Sequence, residues 1–112
     1  MDDKFSIEPH LTDLKILHET VQQIQKDLSF FALEIHFSGD AVSAYDELQT
    51  QLQPILKKLM DEDFQRFLSL LYKIDISEKQ LKHIHGSHPE KNIADLVIKR
   101  CLQKVVLRKM FS

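Results

Sequence analysis

The densest group of potential metal ligands is His83, His85 and His88, three imidazoles gathered around Gly86. Imidazole nitrogen binds zinc, copper or nickel, but only where several donors converge. Residues two apart on a helix point about 200° away from each other. No cysteine or second histidine pair stands at ligand spacing beside them, so the cluster reads as a solvated helix end, where imidazole is tolerated near the last carbonyls. The acidic triplet Asp61-Glu62-Asp63 is the second candidate. It lacks the glycine-turned loop of an oxygen-ligand calcium site and suits the positive end of a helix instead.

Tyr72, Lys73 and Asp75 form the third candidate, a phenol beside a base and a carboxylate. A tyrosine flanked by apolar residues is expected in a core, with its hydroxyl on one partner. The chain has no Gly-x-Ser-x-Gly, no glycine-rich phosphate loop, no His-Glu-x-x-His and no Cys-x-x-Cys. We therefore predict no catalytic residue, no metal and no cofactor.

One charge feature has density. Lys99, Arg100, Lys104, Arg108 and Lys109 crowd the carboxy-terminal segment and form a candidate face for an anion or nucleic acid. Up to Asp63 acidic residues outnumber basic ones 13 to 5, and from Phe64 onward basic residues lead 10 to 4, although the formal net charge is only −2. The asymmetry fits either internal complementarity or a basic strip for an anionic partner. Against nucleic acid, the chain is slightly acidic, and no aromatic residue is interleaved among these bases.

These side chains must be carried by helices. From Glu90 to Phe111 there is neither Gly nor Pro, and Ile93, Ala94, Val97, Ile98, Cys101, Leu102, Val105 and Val106 sweep an arc of roughly 220°, wider than an ordinary surface stripe. Such a helix must be covered from two sides, so the rest of the chain is read as packing around it. A first long helix is expected from Pro9, with a seam of Leu11, Leu14, Leu17, Val21, Ile24, Leu28, Phe31 and Ile35, and Gly39 just past its end. Its outer face is expected to be Asp13, Lys15, Glu19, Gln22, Gln23, Lys26 and Asp27.

Asp40 is the expected N-cap of a second helix, in which Pro54 should produce a kink or a break near Thr50 to Gln53. A third should present Phe64, Phe67, Leu68, Leu70 and Leu71, and a fourth should run from Glu78 to about His85 behind the capping box of Ser77 and Gln80. Pro89 starts the last. The predicted class is all-α, a compact bundle of four to five helices with long first and last members. The alternative is α+β, because Phe31–Phe37 and Tyr72–Ile76 also alternate as two strands would.

By length, 1–112 reads as one helical domain, with 1–8 a loose leader. The single cysteine, Cys101, falls inside the apolar arc and fits a reducing compartment. With no secretory signal and no apolar run of membrane-spanning length, a cytoplasmic location is expected.

Two sets of apolar side chains exceed what the seams need. Leu96, Leu107, Met110 and Phe111 extend toward the basic side of the last helix, while Phe30, Leu33 and Phe37 leave the first helix's seam. Surplus apolar surface is commonly covered by a partner. The expected function is thus a non-catalytic protein-interaction or self-association module, a homo-oligomer or a partner of another protein, with no membrane contact. The alternative is a small nucleic-acid-associated protein using the basic face.

Overall fold

A computed structural model describes residues 13–111 of the 112-residue chain. Among the described residues five helices follow one another: α1 (Leu14–Ser29), α2 (Ala44–Glu62), α3 (Phe64–Ile74), α4 (Glu78–Leu81) and α5 (Pro89–Met110). The fold is all-α, with no strand among the described residues. α5 is the centre. Ile93, Ala94, Val97, Ile98, Cys101, Leu102 and Val105 are all buried, and α1, α2 and α3 pack around them. Fully burying a Val, Leu or Ile side chain is worth about 1.5–3 kcal/mol, which explains how a helix rich in β-branched residues is held.

The helix ends follow local chemistry. Asp13 starts α1, its carboxylate accepting from the N–H groups of Lys15 (3.0 Å) and Ile16 (3.2 Å). It is a cap, not an outer-face residue, and the expected start at Pro9 with Leu11 lies outside the described residues. α1 stops at Ser29, well short of Ile35. Ala32 takes φ +58°, and the N–H of Leu33 reaches the carbonyl of Leu28 (3.1 Å), a Schellman closure built on alanine instead of Gly39. α3 ends the same way, with Asp75 at φ +75° and the N–H of Ile76 on Leu71 (2.9 Å).

Beyond Ala32 the chain through Phe37 has no regular secondary structure. Ile35 is buried, and Leu33 and Phe37 lean on the core, so the alternation is used. Side chains satisfy the backbone instead: Gln51 both accepts from the His36 N–H and donates to its carbonyl, each at 2.7 Å, and Gln25 donates to Ile35 (3.1 Å). Glu47 accepts from the N–H of Ser38 (2.9 Å) and from its hydroxyl, which holds that carboxyl below its ordinary range. The would-be partner strand, Tyr72–Ile76, is the end of α3 and the turn after it.

α2 runs unbroken through Pro54 for 19 residues, longer than the 16 of α1. Pro54 and Thr50, four residues earlier, are both exposed, so the carbonyl that loses its helical donor faces water. Asp40 precedes α2 without capping it; its carboxylate accepts from the Val42 N–H (3.0 Å), and Ser43 occupies the N-cap. Asp63 caps α3 through the Arg66 N–H (3.2 Å). The Ser77 and Gln80 capping box forms as expected, but α4 ends at Leu81, before His85.

Candidate functional site

α5 presents Arg100, Lys104 and Arg108 as one row at steps of four. With Gln23, Lys26 and Asp27 of α1, Lys73 of α3 and Leu107, they line an open depression of about 450 Å³. Five cations therefore face one carboxylate. Lys26 and Lys73 were not predicted, because they join the α5 row only in space, across helices the sequence could not place side by side.

The predicted basic face splits. Lys99 turns to the α2 side, its Nζ 2.9 Å from Asp95, which in turn accepts from the Tyr45 hydroxyl. Gln49 donates to the same phenol oxygen (3.0 Å) and to the Lys91 carbonyl (3.2 Å). Burial first, and then the hydrogen bond to Asp95, push the Tyr45 phenol up to about 12. Lys109 pairs with Glu19 of α1 at 2.8 Å, and this contact holds the Glu19 carboxyl below its ordinary range.

Within the depression the partners are uneven. Arg100 reaches Asp75 at 2.6 Å and Gln103 at 2.7 Å. Lys104 reaches Asp27 at 3.5 Å, and Arg108 meets the neutral amide of Gln23, at 2.8 Å. Lys73 sits over the Phe30 ring, 3.9 Å from its centroid. Neither Lys26 nor Lys73 meets a carboxylate among the described residues.

Asp27, expected on the outer face, is only 2% exposed. Gln23 donates to it (3.2 Å), and the Cys101 thiol points at its Oδ2 from 3.9 Å. Burial, followed by the charge of Asp27, pushes this thiol up to about 12. Asp27 stands three residues after Ile24 and seven after Thr20, which is also buried, its hydroxyl turned back onto the Ile16 carbonyl (2.8 Å). Those spacings put Thr20 and Asp27 on one flank of the seam, the signal that a reading of the apolar residues alone passes over.

The other candidate groups do not converge. His83, His85 and His88 are exposed, and His88 alone has a carboxylate neighbour, Glu90 at 3.5 Å. Tyr72, expected in the core, is 88% exposed, while Lys73 and Asp75 turn to Phe30 and Arg100. No helix among the described residues is long and apolar enough to cross a membrane.

The surplus apolar residues divide too. Leu33, Phe37 and Leu96 pack against the core, Phe37 meeting the edge of His18 at 5.3 Å, whereas Phe30, Leu107, Met110 and Phe111 remain exposed. A third set was missed. Phe64, Leu68 and Tyr72 form an exposed ridge along α3, because only Phe67, Leu70, Leu71 and Ile74 turn inward. No family model, curated protein or solved structure matches this chain.

Proposed function

We propose that the chain is a non-catalytic interaction module that associates with a second copy of itself through the α3 ridge. The observation that carries this reading is the row Phe64, Leu68 and Tyr72, exposed at steps of four. Rows of that spacing interdigitate in the commonest mode of helix packing. A two-fold axis at Leu68 would set Phe64 of one copy against Tyr72 of the other, burying both ends of the ridge at once. Charge favours the same antiparallel arrangement. Exposed Asp61 and Glu62 precede the ridge and exposed Lys73 and Lys79 follow it, so each acidic end would meet a basic one.

Three side chains per copy fall short of the ~800 Å² per partner of a standard interface, which makes the association weak and concentration-dependent. Light scattering on the eluting protein should show a mass rising from 13.2 kDa toward twice that value at high micromolar concentration. Leu68→Asp should return it to monomer with its helicity unchanged. A strict monomer throughout would refute the proposal. The ion pairs of Lys99 and Lys109 weigh against the alternative of a continuous nucleic-acid track along α5.

A further inference from the structure

Three helices deliver five cations to one depression on a chain whose formal net charge is −2. Close like charges repel, so folding alone does not account for gathering all five in one place. Of the five, only Lys104 and Arg100 have carboxylate partners among the described residues, Asp27 and Asp75. Arg108 is held by an amide, and Lys73 by a ring face.

We propose that the depression between α1, α3 and α5 binds a compact group of neighbouring phosphoryls, as found in a free polyphosphate or in the phosphate tail of a nucleotide. Arg100 and Arg108 stand eight residues apart, about 12 Å along the helix axis, with Lys104 between them on the floor. That span suits a short chain of phosphoryls better than a single phosphate. Two guanidiniums supply planar forks that match phosphate oxygens, and Lys26 and Lys73 supply point charges from α1 and α3. The Asp27–Lys104 pair fixes the floor, since Asp27 is itself held by Gln23. Phe30 and Leu107 give the site an apolar border.

Longer nucleic acid fits less well. Lys99 and Lys109, which would extend the row, are engaged by Asp95 and Glu19. The chain's net charge of −2 also provides no long-range attraction along the length of a nucleic acid beyond the depression. Of the site's cations only Lys73 belongs to α3, where it also borders the ridge; Lys26 and the α5 row lie on other helices, so Lys26→Gln alone tests the site apart from self-association.

Isothermal titration of the full chain with sodium tripolyphosphate at ~50 mM salt should give saturable binding, because the local field is only partly screened there. Lys26→Gln with Lys73→Gln should weaken it by about tenfold, whereas Lys58→Gln with Lys91→Gln, exposed lysines outside both the depression and the α3 ridge, should change it by less than about twofold. ATP binding more tightly than tripolyphosphate would identify a nucleotide as the source, and equal affinity a polyphosphate alone. The proposal is overturned by any of four results: no saturation at millimolar tripolyphosphate, equal weakening by the control pair, equal affinity for sulfate at matched ionic strength, or tighter binding of a duplex oligonucleotide that is lost in Lys99→Gln.

Discussion

The carboxylate of Asp27 on α1 lies 3.5 Å from the ammonium of Lys104 on α5, and the two are buried unequally, with the aspartate side chain 3% exposed and the lysine side chain 20%. Loss of either partner therefore has a different consequence. Without Asp27 the lysine can swing its flexible stem toward water. Without Lys104 the carboxylate, almost wholly buried, keeps one amide donor and a weak thiol as its hydrogen-bond partners.

Lys104→Met should cost about 3–5 kcal/mol, the range for stranding one member of a buried pair. Adding Asp27→Asn should restore part of that loss, because the remaining polar group is neutral and Gln23 still donates to it. Urea unfolding at constant slope measures both. A Lys104→Met protein within about 0.5 kcal/mol of the parent would mean that the carboxylate is satisfied from the open depression beside it.

Stability should fall on the alkaline side. The Cys101 thiol is raised from 9.0 and the Tyr45 phenol from 10.0, each to about 12. In both cases the unfolded chain releases its proton first. The stabilisation is thus complete below the unfolded values and is lost as pH rises from about 9 toward 12. Tyr45→Phe and Cys101→Ala should each flatten part of that decline in a urea series. An alkaline limb unchanged in both variants would contradict the assignment. Thiol reagents should also label Cys101 only as fast as the fold opens.

Ala32→Gly should stabilise the protein. Alanine at φ +58° carries a left-handed penalty of about 1–2 kcal/mol, while glycine adds unfolded-chain entropy worth about 0.4–1, leaving a net gain of roughly 0.5–1 kcal/mol. Asp75→Gly relieves the same strain but deletes the 2.6 Å contact with Arg100, so it should come out close to neutral. Thermal unfolding of the two variants separates strain from ion pairing. A lower melting temperature for Ala32→Gly would show that the alanine methyl has a packing role.

The part of this fold legible in the sequence is the part set by spacing. α5 could be drawn in full because its apolar positions recur without a breaker, and α4 could be started because Ser77 and Gln80 are a reciprocal cap. The end of α1 could not, since an alanine in the left-handed conformation leaves no residue-type signal and Gly39 offered a more conventional stop. Pro54 misled because the cost of a helical proline depends on which way the bereft carbonyl faces. For the candidate site, Arg100, Lys104 and Arg108 were visible as a row. Lys26, Lys73 and the buried Asp27 were not, because only tertiary packing brings α1 and α3 beside them.

Val97 and Lys99 test the central premise, that α5 is enclosed over more than half its girth. Val97 is fully buried. Replacing it with aspartate places a charge where no donor waits, at a cost of several kcal/mol, comparable to the whole stability of a domain with the usual ~5–15 kcal/mol. We expect Val97→Asp to be unfolded by circular dichroism at room temperature. Two residues on, Lys99 is about half exposed and pairs with Asp95, itself supported by Tyr45. Lys99→Ala should cost no more than about 0.5–1 kcal/mol, the scale of a surface ion pair. Equal effects of the two substitutions would mean that α5 lacks a buried and an open side.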